Sequence, residues 1–184
     1  MSNSSNQFGA GRAQRQPLGT GIVGVFTRGP ALLAQQTAAL TDASSGRFVL
    51  GIGASSDRMV AGWNQIPFVK PLSKVEETLA FLKVALAGER TDTGFKLETA
   101  PSNETPIVLA ALRPKMLALA AEKARGAHPY FVPPEHTARA REILGRGPWL
   151  CPEQMVLLER NASQARAIAR QNMAIYTALP NYQN

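Results

Sequence analysis

The best candidate for a phosphate-binding segment is a run of small residues, GIGASS at 51–56, which follows the apolar stretch RFVL. Small side chains allow backbone N–H groups to approach a phosphate, and the hydroxyls of Ser55 and Ser56 could add hydrogen bonds. As a dinucleotide-binding fingerprint the run is incomplete, because Ser56 occupies the third glycine position and no helix begins at once. A tight turn at the exit of a strand is the alternative interpretation, and the residue types leave both open.

Three glycines, Gly19, Gly21 and Gly24, fall within one short apolar run, LGTGIVGVF. Glycine weakens a strand, so three of them in one strand indicate a bulge or a ligand pressed against the backbone. Close packing against a neighbouring element is the alternative, and the residue pattern alone favours it.

Polar and nucleophilic candidates are few. His128 is the only histidine on a predicted strand and could be a polar group at the mouth of a pocket, although a lone histidine is more often a rim or core residue. Cys151 has no histidine or lysine beside it in the sequence, which predicts an inert side chain. Ser73 and Glu76 have the spacing of a helix capping box. With one cysteine and two histidines, no metal site is expected.

The elements that must position these residues alternate regularly between strand and helix. Apolar runs predict five strands, at 18–26, 47–53, 106–112, 127–132 and 154–158. Helix starts are indicated by Pro30, Pro114 and the capping residue Asn161, and Gly126 is expected to end a helix. Strands that are apolar on both faces and alternate with helices form parallel sheets. The sequence therefore predicts an α/β fold, either an open doubly wound sheet or part of a (β/α) barrel.

Composition limits the classes of partner. The chain has 184 residues and a net charge of +7, but its arginines are scattered rather than clustered, so no nucleic-acid partner is expected. No apolar run approaches the ~18 residues of a membrane helix, so no membrane partner is expected.

A single cysteine excludes an internal disulfide and favours the cytoplasm. Residues 1–17 lack acids and nearly all large apolar side chains, which predicts a disordered leader.

Three segments resemble a known family. They are LGTGIVGVFTRGPALLAQQTAALTDASSGRFVLGIGAS, AALRPKMLALAAEKARGAHPYFVPPEHTARAREILG and ARAIARQNMAIYTALPNY. They are similar to the bacterial luciferase-like monooxygenase superfamily, in its F-420-dependent oxidoreductase branch, from about Leu18 to Tyr182. The resemblance implies a (β/α)8 TIM barrel, of which residues 18–184 would form a partial domain of about five βα units.

The resemblance also implies a redox site. Such proteins bind the deazaflavin coenzyme F-420, or FMN, at the C-terminal ends of the barrel strands, and they exchange hydride with a small organic substrate. The cofactor ring rests on a bulge in the third strand, often with a non-prolyl cis peptide, and the matching dipeptide here is Gly21-Ile22. The loop after the fourth strand lies along the cofactor, which assigns cofactor binding to Gly51, Gly53, Ala54 and Ser55. Ala54 stands where several relatives carry an acidic residue. His128 is the candidate catalytic residue, facing the barrel mouth.

Length sets a further expectation, since a (β/α)8 barrel usually takes about 250 residues. Matched to the family, 18–26 is the third strand and 154–158 is the seventh. The first two strands and the eighth have no counterpart, so we expect a truncated chain with two open sheet edges. Such edges favour homo-oligomers. The alternatives are an FMN-dependent monooxygenase of the same fold, or a non-catalytic remnant or partner subunit.

Overall fold

One parallel sheet organises the chain. The computed structural model describes residues 16–179 and residue 182, so residues 1–15 of the predicted leader lie outside the described residues. Within residues 16–179 there are six short strands: β1 Leu18–Gly19, β2 Val23–Gly24, β3 Phe48–Gly53, β4 Ile107–Leu109, β5 Gly126–Ala127 and β6 Trp149–Leu150. Each strand pair is parallel, and neighbours follow chain order, with β1 and β2 both paired to β3. The predicted parallel α/β architecture is confirmed.

A helix follows each strand position of the sheet. In the same range the α-helices are α1 Pro30–Ala43, α2 Pro71–Leu86, α3 Pro114–Lys123, α4 Pro134–Leu144 and α5 Ala162–Thr177, and a π-helix spans Arg58–Trp63. Four α-helices begin with proline, whose fixed φ suits the first turn and whose missing N–H would have no helical partner there. Asn161 caps α5, since its side-chain oxygen accepts from the N–H groups of Ser163 and Gln164. None of the helices among the described residues has the length and apolar character of a membrane span.

The hydrophobic core lies between the sheet and the helices. α1 and α2 pack against each other, as do α3 and α4, and α1 also packs on β3. The strand side chains of the core are almost fully buried, as are the helix side chains that meet them: Val25, Leu33, Leu50, Ile52, Leu79, Leu82, Leu109 and Leu117. Both faces of the central strands are therefore covered, which explains their unbroken apolar runs.

The last strand does not lie where the apolar run QMVLL predicted it. Residues 154–158 have no regular structure, and the strand next to β5 is Trp149–Leu150. The Trp149 N–H donates to the carbonyl of Arg125 at 2.9 Å, and the Arg125 guanidinium lies 4.7 Å from the Trp149 ring centre. These two contacts fix the register. The apolar run lies beyond the end of this strand, and Val156 and Leu158 are 82% and 98% exposed.

Two local predictions about helix ends are wrong. Gly126 lies in β5 and does not end α3, which stops at Lys123, and a Cβ at Gly126 would overlap the backbone of Trp149. Ser73 and Glu76 do not form a capping box, because α2 already begins at Pro71 and has no side-chain cap. The Glu76 carboxylate instead accepts from Lys123 Nζ at 2.6 Å, which links α2 to α3 on the surface.

Candidate functional site

A β-bulge separates β1 from β2. Gly19 pairs with Val49 and Val23 pairs with Ile52, so four steps along the first segment match three steps along β3. One extra residue is therefore accommodated between Gly19 and Val23, which is the bulge that the family resemblance implied and one of the interpretations that the glycines left open. The Thr20 hydroxyl replaces the interrupted ladder: it donates to the carbonyl of Gly51 and accepts from the Gly51 N–H, both at 2.9 Å.

The bulge contains the dipeptide that the family resemblance selected. The Gly21–Ile22 peptide is cis, as that resemblance implied. Gly21 is exposed, whereas Ile22 is partly buried and lies over the two glycines of β3. A Cβ at Gly53 would lie 3.1 Å from Ile22 Cδ1, and a Cβ at Gly51 would overlap the carbonyl oxygen of Thr20. The bulge residues thus occupy the space that a side chain at 51 or 53 would need.

The loop after β3 carries the remaining residues of the glycine-rich run. Ala54 and Ser55 are partly buried, and Ser55 has a left-handed backbone with φ 68°. The Ser55 hydroxyl donates to the Met59 sulfur at 3.3 Å, which ties the loop to the π-helix. Trp63, at the end of that helix, is 64% exposed. The loop therefore leaves the sheet at the carboxyl end of β3 and turns directly into the π-helix.

His128 directly follows β5, at the carboxyl end of the strand, as predicted. Its Nδ1 lies 2.7 Å from the carbonyl oxygen of Cys151, and its Nε2 lies 3.2 Å from Glu153 Oε2. Cys151 and Glu153 follow β6, and their backbone N–H groups donate to the carbonyls of Ala127 and Pro129, both at 2.9 Å. Main-chain pairing beyond β5 and β6 therefore brings the imidazole and the carboxylate together.

The His128–Glu153 pair lies beside the bulge. A Cβ built at Gly21 would lie 3.1 Å from His128 Nε2 and 3.3 Å from Glu153 Oε2. The exposed backbone of the bulge and the two titratable side chains thus form one surface at the carboxyl ends of the strands. Active sites of parallel barrels lie at this end of the sheet.

A comparison with known protein families agrees with this geometry. The family model described as "Luciferase-like monooxygenase" matches residues 9–184. The chain belongs to this family. Rv3520c of Mycobacterium tuberculosis, provisionally named a coenzyme F-420-dependent oxidoreductase, is 31% identical over 156 residues, which cover 73% of this chain and 45% of the relative. The 5,10-methylenetetrahydromethanopterin reductase of Methanolobus tindarius is 29% identical over 183 residues, covering 88% of this chain and 54% of the relative. The chain spans about half the length of these relatives.

Solved structures show the same fold. A type II Baeyer-Villiger monooxygenase, the oxygenating constituent of 3,6-diketocamphane monooxygenase from Pseudomonas putida, was solved in complex with FMN. It superposes on this chain with a TM-score of 0.64 at 15% identity, over 88% of this chain and 54% of that one. The parallel sheet and its helices are therefore part of the luciferase-like (β/α) barrel.

In this chain an aromatic cluster lies next to the His128–Glu153 pair. Its members are Tyr130, Phe131, Tyr176 and Tyr182. The Tyr130 hydroxyl donates to the Tyr176 hydroxyl at 3.1 Å. This hydrogen bond, together with burial, raises the pKa of Tyr130 to about 12, and the negative charge of Glu153 adds to the effect. The Tyr130 side chain therefore stays protonated and joins α5 to the segment after β5.

Cys151 contributes its backbone rather than its thiol. The carbonyl oxygen faces His128, while burial raises the pKa of the thiol. A thiol with a raised pKa is a poor nucleophile, because only the thiolate attacks. This agrees with the inert side chain that the sequence predicted.

The structure brings some of the selected residues together and adds others. Gly21, Ile22, Gly51 and Gly53 form one packed unit, His128 lies beside it, and the Ser55 side chain lies near Gly24. Their roles in binding a cofactor stay predictions. Sequence reasoning missed Thr20 and Glu153. With a strand at 154–158, Glu153 would have lain at the opposite end of the sheet from His128. Because the strand ends at Leu150, Glu153 lies at the same end as His128.

Proposed function

We propose that this chain is part of an oxidoreductase that binds coenzyme F-420 and transfers hydride between it and a small organic substrate. The observation that carries the proposal is the bulge after β1, whose exposed Gly21 backbone lies beside His128 and Glu153 at the carboxyl ends of the strands. A relative in the same family that is named for coenzyme F-420 supports the choice of coenzyme.

The residues of the bulge suit a flat, polar-edged ring. Gly21 leaves its backbone uncovered, Ile22 offers an apolar side chain, and the His128–Glu153 pair supplies hydrogen-bonding groups at the same surface. Ala54 and Ser55, partly exposed after β3, would line the neighbouring side. Gly51 and Gly53 would support the bulge on the side away from the ring, because their missing side chains allow Thr20 and Ile22 to lie close to β3. When bound, a deazaflavin supplies a ring carbon that accepts or gives a hydride.

FMN is the second candidate cofactor. The specific observation in its favour is the FMN-bound monooxygenase that shares this fold. Both cofactors carry a similar tricyclic ring, so the surface around Gly21 would receive either one. In the FMN case the reaction would be a monooxygenation by molecular oxygen.

Open sheet edges support the expectation of a homo-oligomer. Among the described residues, β1 pairs only with β3 and β6 only with β5, so each leaves one side of its backbone without a strand. The exposed apolar side chains of residues 155–158 lie a few residues beyond the end of β6. Exposed edges and apolar patches of this kind associate. We further propose a cytoplasmic location, which the single cysteine favours.

Titration of the purified 184-residue chain with F-420 and, separately, with FMN tests the proposal. We expect F-420 to bind, seen as a change in its fluorescence, and the Gly21→Leu variant to lose at least about tenfold in affinity because the new side chain covers the bulge. Gly62→Leu is the matched control, since no atom lies within 4 Å of a Cβ at that position. A folded chain that binds neither cofactor would overturn the proposal, and binding of FMN alone would select the second candidate.

A further inference from the structure

The segment between β3 and α2 lies across the carboxyl end of β2. Ser55 Cβ lies 3.7 Å from the position that a Cβ would take at Gly24. The ring centre of Phe68 lies 5.1 Å from that of Phe26, which is two residues beyond β2. Val60, in the π-helix between these two contacts, is fully buried. The π-helix is therefore fixed beside the bulge, because the bulge directly precedes β2 in the chain.

The backbone of this segment has an unusual conformation. Ser55, Gln65 and Lys70 are left-handed, with φ of 68°, 56° and 46°, although none of them is glycine. The segment also contains the π-helix Arg58–Trp63. Left-handed backbone at a residue with a side chain costs energy and persists where the surroundings enforce it, and both this strain and π-helices occur frequently at binding sites. The backbone of residues 55–70 thus has features that are typical of a binding segment.

Two large apolar side chains of the π-helix face solvent. Met59 is 44% exposed and Trp63 is 64% exposed. Residues four apart are neighbours on a helix surface, so the thioether and the indole lie side by side. Val60 and Phe68 already anchor the segment, so packing gives no reason to expose an indole here. The Arg58 guanidinium lies 6.0 Å from the Trp63 ring centre and covers one face of the ring, which leaves the other face for a flat molecule.

We propose that Met59 and Trp63 bind a flat apolar group of the substrate, which names the substrate class as small organic molecules with an aromatic ring. This assignment rests on the proposed function, in which the coenzyme ring lies on the bulge and the substrate lies next to it. An indole stacks on aromatic rings, and a thioether packs favourably against them. The Ser55 hydroxyl, 3.3 Å from the Met59 sulfur, keeps that sulfur beside the loop predicted to line the coenzyme. The exposed indole and thioether would therefore select which substrate reaches the coenzyme.

The tryptophan side chains report on this site directly. The chain has two tryptophans, so its ¹H–¹⁵N spectrum contains two indole N–H signals. Trp149 is the internal control, because it lies at the start of β6 with the Arg125 guanidinium 4.7 Å from its ring centre. The probes are 2-naphthol, which is flat, and decahydro-2-naphthol, which has the same carbon skeleton but is not flat. With the full chain and no coenzyme, we expect 2-naphthol to shift the Trp63 signal and to leave the Trp149 signal unchanged. Decahydro-2-naphthol should bind at least about threefold more weakly.

Variants of the full chain localise the binding. Trp63→Ala should weaken 2-naphthol binding at least about fivefold and abolish the preference for the flat probe, whereas Trp63→Phe should recover most of the affinity. Met59→Ala should weaken it about twofold to fivefold. Leu40→Ala removes an exposed apolar side chain of α1 and should leave the affinity unchanged. The affinity for F-420 should stay within about threefold in Trp63→Ala, since the bulge holds the ring. Thermal unfolding establishes that each variant is folded.

The outcomes distinguish the two proposals. An unshifted Trp63 signal, or equal affinity of the wild type and folded Trp63→Ala for 2-naphthol, overturns this assignment whether or not F-420 binds. Displacement of 2-naphthol by F-420 would place the indole in the coenzyme site and overturn its assignment to the substrate. A Trp63 signal that moves on dilution of the chain alone would assign the side chain to a contact between copies. If 2-naphthol shifts the Trp63 signal but F-420 does not bind, the proposed function is wrong and the substrate role falls with it, while the aromatic-binding site stands.

Discussion

The Thr20 hydroxyl completes both main-chain hydrogen bonds of Gly51, a residue 31 positions later in the chain. At a bulge the extra residue breaks the backbone ladder, so polar groups of the partner strand lose their usual partners. Here one side chain supplies a donor and an acceptor together. The bulge beside the candidate site is thus held to β3 by a specific residue type.

Removal of this hydroxyl should destabilise the fold. We expect Thr20→Val to lower the free energy of unfolding by about 2–3 kcal/mol, because it leaves a buried N–H and a buried carbonyl without partners. Thr20→Ser keeps the hydroxyl and should lose less than about 1 kcal/mol. Urea unfolding measures both variants. A larger loss in Thr20→Ser than in Thr20→Val would show that the methyl group, not the hydroxyl, matters.

The glycines of the strands should tolerate no side chain. A Cβ at Gly51 would overlap Thr20, and one at Gly126 would overlap Trp149. We therefore expect Gly51→Ala and Gly126→Ala each to cost at least about 2 kcal/mol of unfolding free energy. Gly62→Ala meets open space and should change it by less than about 1 kcal/mol. Thermal melts compare the three, and a Gly51→Ala variant as stable as Gly62→Ala would contradict the packing described here.

Two helix starts should respond differently to alanine. Asn161 accepts hydrogen bonds from two backbone N–H groups of α5, so Asn161→Ala should cost about 1 kcal/mol. Ser73 caps nothing in α2, and Ser73→Ala should be neutral or slightly stabilising. Circular dichroism during urea unfolding follows both. A loss in Ser73→Ala as large as in Asn161→Ala would show that Ser73 does cap α2.

The tyrosine pair should make the fold sensitive to alkali. The hydrogen bond to Tyr176 raises the pKa of Tyr130 from 10.0 to about 12, so the folded chain resists losing this proton while the unfolded chain does not. The stabilisation is complete below pH 10 and is lost as the pH rises through about 12. Unfolding midpoints across this range should fall more steeply in the wild type than in Tyr130→Phe. Identical slopes in the two proteins would exclude this contribution.

Self-association should depend on the apolar segment after β6. Val156 and Leu158 are 82% and 98% exposed, and apolar side chains in such a position associate with one another. We expect the wild-type chain to show concentration-dependent mass in sedimentation velocity, and Val156→Lys with Leu158→Lys to reduce it. Val69→Lys, at an exposed apolar position elsewhere, is the control. An unchanged mass in the double variant would assign association to another surface.

Much of the architecture could be predicted from local signals. The alternation of apolar runs with proline-initiated helices predicted the parallel sheet, since a run that is apolar on both faces must be covered by helices. The glycine pattern at 18–26 left a bulge, a ligand against the backbone and close packing open, and the family resemblance selected the bulge. The predictions that the structure confirms rest on sequence patterns that span only a few residues.

Long-range register could not be predicted in this way. The run QMVLL has the composition of a buried strand, but the position next to β5 is taken by residues that pair through Arg125 and Ala127. Composition does not reveal which of two neighbouring segments has a partner. For the same reason the sequence did not reveal the place of Glu153 or the need for Gly51 and Gly53. Thr20 and Ile22, 31 positions earlier in the chain, fill the space beside these glycines, and Ala110 also lies against Gly53.

The order of the strands has a consequence for biosynthesis. Each strand after β2 pairs with one that the ribosome has already made, so no segment must wait for a distant downstream partner before it can add to the growing sheet. Every new strand also extends the template on which the next one forms. Folding of these units can therefore keep pace with translation, and the edge exposed at each moment is the one that the next unit covers.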